Sequence, residues 1–595
     1  MAVETGDKVT RKYANFRGVD FRGEDCSLNR SPDALNVWRN YKKLSSIETR
    51  PGLEHIFAFS RTIKAMKWHK GKLYFLADGF LHALYEDGTI DYQLTYVGAN
   101  AFFFEFEGKL YAKGSAHYVD VTDGHDVVPF IPTTTIKKPP SGGGETYQDV
   151  NMLSPYRINT FRGDGESSDL HLDTQNIDKD FTPIVTIDGK TFGVDKIDGI
   201  SEMEVDYEKG IICFYKVVVG DVLGATLPAP KTDGQDNITV KFKKTNQEYV
   251  NKIMGCTMAQ EFDNRVFFSG NPAYPNMVWH SSLSDPSYIS DLDYYEDGKD
   301  AAPIRSLVAG NNALWVFRDT DTTNGVYYHV PTIDSDYGKV YPSSHSSISL
   351  GCAGRAINFN DDIVFFSNRG MESASTDITT EQFATHKSSM VDRKMITHPK
   401  FKDMIFAEWE GYLLVFMGND VFLADSRAVL TNENHYEYEW YHWKLGKYNV
   451  TCTTVHDGVL YIGTDGATVD GIPEGHIYTL TREASGGDAH ADYPNGVSIN
   501  SYWTTPKDKF GAANKLKTTN KKGCVVEASG NVDIYAKVED TDFELIGTNN
   551  EVEDYFVSRI KRKKFKDIQL KFQSQTEFCL ESATLECFVG GYIKR

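Results

Sequence analysis

No stretch of the 595 residues approaches the roughly 18 consecutive apolar positions that a membrane-spanning helix requires. The eight cysteines, at positions 26, 213, 256, 352, 452, 524, 579 and 587, contain no CxxC pair. They are too sparse for a disulfide scaffold, so free thiols and a reducing site of synthesis are expected. The opening MAVETGDKVTRKYANF has no apolar core that would serve as a secretion signal. Positive charge is short as well. With 63 Lys and Arg against 83 Asp and Glu the formal charge is −20, which argues against a protein that grips nucleic acid by neutralising many phosphates.

Catalytic signatures are also missing. The sequence holds no GxSxG, no GxxxxGK[ST], no GxGxxG after a strand and no HExxH. The one glycine run, Gly142–Gly144, follows Pro139-Pro140 and reads as a flexible joint. Asp336 and Gly338 are all that DSDYGKVY keeps of a sialidase Asp box. Glu408 and Glu410 share a strand face by spacing but flank a turn, so an exposed pair is favoured over a glycosidase dyad. Asp319, Asp321 and Asn324 resemble the start of a calcium loop, yet the glycine falls one position late and no Glu closes it. No metal, cofactor or catalytic residue is assigned.

What the chain has is aromatics, at 13 %, and 49 glycines, a mixture that favours strands and tight turns. A unit of about 40–50 residues recurs, the spacing of a propeller blade with four short strands. Copies begin at Thr62, Ala99, Cys256, Pro303, Cys352, Met404 and Thr451. Each has an apolar run, then a polar turn (KG, EG, DN, GN, ND, EG and DG in order), then an aliphatic or aromatic strand. That is a hairpin signature, because these turn residues tolerate positive φ.

The spacing predicts an all-β protein, a β-propeller of six to eight blades with an inserted small β domain and a C-terminal β-sandwich. Residues 1–61 read as a lead-in segment joining the propeller, and 62–128 as its first part. Residues 129–253 read as a Pro/Thr/Gly-rich linker followed by the inserted domain, in which NITVKFKK alternates as a sheet with one wet face does. The propeller resumes over 254–482, and 497–595 carries the short alternating strands of a sandwich.

Charge is divided unevenly. Residues 497–595 hold 16 Lys and Arg against 14 Asp and Glu, a surplus of two, so the first 496 residues carry −22. The sharpest feature is the basic cluster Arg559, Lys561, Arg562, Lys563, Lys564 and Lys566, with Lys515, Lys517, Lys521 and Lys522 upstream. It can dock on an acidic neighbour, touch DNA phosphates, or sit on a solvated edge strand where lysine blocks unwanted pairing. The aromatic run HYEYEWYHW (435–443) suits either stacking on sugars and bases or packing between blades, and packing is favoured.

Several phrases resemble one family. GVDFRGE, SPDALNVW and ETRPGLEHI near the start, NRVFFSGNPAYPNMVWHSSLSDPSYI (264–289), ISLGCAGRAINFNDDIVFFSNRGM (348–371), and the final SYWTTPKDKFGAANKLKTTNKKG and LESATLECFVGGYIKR are similar to the packaged-DNA stabilization, or tail nozzle, proteins of short-tailed bacteriophages. The resemblance implies a non-enzymatic virion component, assembled in the host cytoplasm. It also implies a homo-oligomeric ring, usually a hexamer, below the portal and adaptor, with tail fibres as further neighbours. Such a ring closes the DNA channel, retains the packaged genome and lets it pass on infection, without sequence-specific binding. A tail receptor-binding or glycan-degrading propeller is the alternative.

Overall fold

A computed structural model describes residues 7–41, 46–137, 144–218, 222–225, 236–320, 324–335, 338–375, 383–427, 437–469, 471–482, 487–490, 493–549, 555–558 and 564–592. It is nearly all β, with 55 % strand and 3 % helix. Among the described residues the helices are Gln247–Met254, the single turn Asp392–Met395 and the short 3-10 segment Phe401–Asp403. Among the described residues, no helix is long and apolar enough to cross a membrane.

The repeat in the sequence becomes a repeat of antiparallel meanders, four-stranded in the first six and three-stranded in the last. They occupy 63–96, 102–126, 258–296, 304–345, 356–386, 405–444 and 450–481. In all seven, the turn between the first and second strands has two residues with positive φ. These are Lys70-Gly71, Glu107-Gly108, Asp263-Asn264, Asn311-Asn312, Asn360-Asp361, Glu410-Gly411 and Asp457-Gly458, with φ between 46° and 79°. This is the hairpin connection whose twist matches that of its strands. The fourth turn corrects the sequence reading by one residue. Gly310 pairs with Ala313, so Asn311-Asn312 makes the bend and Gly310 belongs to the strand.

The first strands of most successive meanders lie side by side: Ile63–His69 beside Phe102–Phe106, then Met258–Phe262, Ile304–Gly310 and Ala356–Phe359. Ile405–Trp409 lies beside Val450–His456, which returns to Ile63–His69. The seventh sheet takes its fourth strand from the other end of the chain, where Gly52–Phe59 pairs antiparallel with Ile472–Thr481. The hairpin Gly487–His490 and Tyr493–Ser498 then extends that sheet beyond Gly52–Phe59.

The N-terminal residues therefore do more than lead into the repeat. Asp7–Tyr13 pairs with the C-terminal strand Phe578–Tyr592, and Ile47–Thr49 pairs with the same strand. Ala34–Leu35 pairs with Ser501–Thr504 in a second C-terminal sheet. The two sheets face each other through Val526, Leu580 and Leu585 on one side and Ile534, Leu570 and Phe572 on the other. This core is continuous with buried residues of the fifth and sixth meanders, including Phe366, Met404, Val415 and Trp440.

Residues 129–253 contain a six-stranded and a four-stranded sheet around their own core of Phe161, Leu170, Ile187, Ile212, Phe214, Val240 and Phe242. Strand Ile238–Lys243 alternates buried and wetter positions as its sequence suggests. The stretch 129–148 is not simply a linker. Thr133–Lys137, rich in β-branched residues, is a strand parallel to Tyr156–Phe161. Gly142 and Gly143 lie outside the described residues.

Candidate functional site

The basic stretch ends where the chain is pinned to the C-terminal strand Lys515–Gly530 by an isolated bridge. Lys517 and Phe565 exchange backbone hydrogen bonds of 2.8 and 3.0 Å. The Lys517 side chain is fully buried and its ammonium donates to the carbonyl of Lys566 at 2.6 Å. Burial lowers its pKa, and the carbonyls around it replace the water it loses. Phe565 beside it is buried, whereas Lys564 and Lys566 are exposed. The Lys566 amide donates to Glu539 Oε1 at 3.0 Å. Two cations of the cluster thus stand at the surface on a fixed backbone. Arg559, Lys561, Arg562 and Lys563 lie outside the described residues, as do the side chains of Lys521 and Lys522.

The aromatic run takes the packing role. Trp440, Tyr441 and Trp443 are buried on Glu439–Lys444, the fourth strand of the sixth meander, and Tyr438 is buried just before it. His435 and Tyr436 lie outside the described residues. A fourth strand is ordinarily an exposed edge, but residues 17–39 cover this one. Val19 donates to the Trp440 carbonyl at 2.8 Å and Asn36 to that of His442 at 2.9 Å. The alternating Glu is also enclosed. Glu439 is buried, 3.8 Å from Arg17 Nε and 3.8 Å from Arg39 Nη1, and burial raises its pKa.

The carboxylates singled out for chemistry are otherwise placed. Glu408 is exposed on Ile405–Trp409, and Glu410 forms the positive-φ turn that follows. Asp319 is bound by Arg305 at 2.6 Å and lies 3.7 Å from Lys402, while Asp321 is outside the described residues. Gly338 begins one strand of a small hairpin, Thr332–Asp334 with Gly338–Val340. Among the described residues, no three His, Cys, Asp or Glu side chains are grouped to hold a metal ion. All eight cysteines are free. Cys256, Cys352 and Cys452 are buried between sheets, with burial pushing each thiol up to about 12.

Sequence reasoning missed two cations that tie neighbouring elements together. His386 sits between two carboxylates, Nε2 on Asp392 Oδ2 at 2.6 Å and Nδ1 on Glu372 Oε1 at 2.8 Å. Hydrogen bonds from Asp392 and then Glu372 push its pKa up to about 10. Lys113 is fully buried and donates to the carbonyls of Met254 and Cys256 at 3.2 and 3.1 Å. It thereby ties the second meander to the C-terminus of helix Gln247–Met254, where the helix dipole favours a cation. Burial lowers its pKa to about 8. No motif marks these residues: Lys113 meets its partners 141 and 143 positions away, and His386 meets its own at 6 and 14, spacings that belong to no ligand or catalytic pattern.

No protein-family model and no curated protein matches the chain. Among solved structures, the computationally designed Ika8 protein aligns over 72 % of this chain and 99 % of its own, at 10 % identity and a TM-score of 0.30. PorZ, a surface component of the type-IX secretion system of Porphyromonas gingivalis, covers 88 % of this chain and 82 % of its own, at 10 % identity and 0.27. An exo-β-1,3-galactanase from Phanerochaete chrysosporium covers 55 % and 94 %, at 9 % identity and 0.22. Likeness at these TM-scores carries no argument about fold or activity.

Proposed function

We propose that this chain is a non-enzymatic structural protein of a short-tailed phage, several copies of which form a ring, or nozzle, around the tail channel. In this reading the seven meanders are the blades of a propeller formed by 62–128 and 254–482. Residues 129–253 are a domain inserted between the second and third blades, and 497–595 form a sandwich. The adjacency of first strands and the completion of the seventh sheet by Gly52–Phe59 support the propeller. The phage assignment rests on the sequence resemblance.

The observation that carries a mechanical role is the double closure of the chain. Gly52–Phe59 closes the repeat, and Asp7–Tyr13 closes the C-terminal sheet. Both N-terminal strands are thus held in sheets completed by the far end of the chain. A body locked in this way resists being peeled open from its ends, as a collar around pressurised DNA must. The −22 charge of the first 496 residues suits a wall past which a duplex slides without sticking. Portal, adaptor and other tail proteins are the partners, and a heterologous interface between copies closes the ring.

Electron microscopy of virions carrying a label at the C-terminus of this chain tests the assignment. Label in a ring on the tail axis supports it. Label absent from the virion, or present only on peripheral fibres, overturns it.

A further inference from the structure

The seam at which the chain closes its seventh sheet holds two histidines in direct contact. His55 lies on Gly52–Phe59 and His476 on Ile472–Thr481, and in their pairing Tyr478 stands opposite His55. His55 Nε2 and His476 Nδ1 are 3.2 Å apart, a hydrogen bond that one ring donates and the other accepts. The His476 ring is fully buried and stacks face to face on Tyr448, with centroids 5.0 Å apart and planes at 5°. His55 meets Tyr478 edge-on at 5.3 Å. Aromatic packing thus fixes both rings where they are.

Such a contact tolerates only some protonation states. With one proton between the facing nitrogens the bond is made. When both rings are fully protonated no acceptor remains, and two cations meet at hydrogen-bond distance. Glu474 Oε2, 3.9 Å from His476 Nε2, can balance one of those charges. Glu54, next to His55, points to solvent. The other charges nearby are engaged: Asp465 accepts from Asn449, Asp488 is held by Arg50, and Arg61 lies 3.5 Å from Asp78. Lys447 stands over the Tyr448 ring at 5.2 Å and adds positive charge. His82, in the first meander, packs on Phe59 further along the strand, with centroids 4.7 Å apart. Burial lowers the pKa of His55 and of His82 alike.

We propose that the His55–His476 contact is an acid-sensitive latch, closed while one imidazole accepts from the other and opened when His55 gains a proton, which loosens Gly52–Phe59 from Ile472–Thr481. A histidine whose pKa is lowered by docking takes its proton more readily once undocked. The latch is therefore complete above the ordinary value of 6.5 and weakens as pH falls below it. His386, whose pKa is pushed up to about 10, stays charged through this range and keeps its own contacts. The device belongs to the single chain and needs neither a ring nor a partner.

The test is backbone hydrogen exchange of the full chain at about pH 7.5 and about pH 5, corrected for the intrinsic pH dependence of exchange. Protection of residues 52–59 and 472–481 is expected to fall about tenfold or more on acidification, while strand Tyr412–Met417 of the sixth meander changes little. In His55→Gln the side-chain amide still offers a donor and an acceptor but does not titrate, so the seam is expected to exchange alike at both pH values. Exchange at the imidazole C2 positions of the parent protein needs no variant and is expected to show His55 titrating below 6.5. The proposal is overturned by seam protection that is equal at the two pH values, by an acid response that survives in a folded His55→Gln protein, or by a His55 pKa at or above 6.5.

Discussion

Arg50 and Asp488, 438 positions apart, form a buried two-pronged ion pair, Nη1 to Oδ1 at 2.9 Å and Nη2 to Oδ2 at 2.5 Å. The remaining N–H groups of Arg50 are also used, by Asn36 Oδ1 at 3.0 Å and by the carbonyls of Pro51 and Lys444 at 2.8 and 3.0 Å. Asp488 in turn accepts the amides of Leu53 and Gly446, each at 3.2 Å. One pair thus joins the N-terminal segment, the strand that closes the seventh sheet, the sixth meander and the last hairpin. Removing one partner leaves the other charge buried and alone, a loss of about 3–5 kcal/mol. Arg50→Met is therefore expected to lower the first urea transition by that amount. A loss below about 1 kcal/mol, the scale of an exposed pair, would show that the pair is solvated and not a lock.

Gly18 marks where the N-terminal segment meets the sixth meander. Its φ is +76°, and an added Cβ would lie 2.2 Å from the Trp440 carbonyl oxygen. Gly18→Ala meets both the backbone penalty and the clash, for a destabilisation of at least about 2 kcal/mol. Hydrogen exchange is expected to accelerate in residues 19–21 and 438–442 before the other meanders respond. Unchanged exchange in both stretches would contradict this docking.

His386 makes stability depend on pH with a definite sign. Its folded-state pKa, about 10, lies above the ordinary histidine value of 6.5. The contribution of its bonds to Asp392 and Glu372 is therefore complete below about pH 6.5 and is lost as pH rises through 10. The stability difference between the parent protein and His386→Gln should shrink steadily over that interval. A difference independent of pH would show that the imidazole is neutral in the folded state.

The proposed ring gives the basic cluster a role to test. Replacing Arg562, Lys563 and Lys564 with Glu puts like charges opposite an acidic neighbour and should impair assembly without changing the far-ultraviolet dichroism of the subunit. Light scattering reads the result. Rings formed at the parent concentration dependence would reject this surface as an interface.

The repeat was legible because two-residue turns leave a chemical mark. Six of the seven turn pairs fall where the Gly, Asn and Asp residues put them. The fourth was displaced by one because Gly310 satisfies the turn pattern as well as Asn312 does, and only the pairing of Gly310 with Ala313 decides. The destination of Gly52–Phe59 was not legible, since nothing local to a strand names a partner across the whole chain. Burial of Glu439 was hidden for the same reason. Its alternation with aromatics suggests a wet face, and the cover over that face comes from residues 17–39. The basic cluster was evident as composition, but its anchoring depends on a buried Lys517 that looks like any other surface lysine in the sequence.

In the proposed ring this β body is one segment of a collar around a channel. Single-particle electron microscopy of the purified full chain tests it most directly. Closed rings are expected in end view, with seven-bladed discs arranged around an open axis wide enough for a duplex. Isolated subunits at every concentration, or open filaments without a central channel, would contradict it.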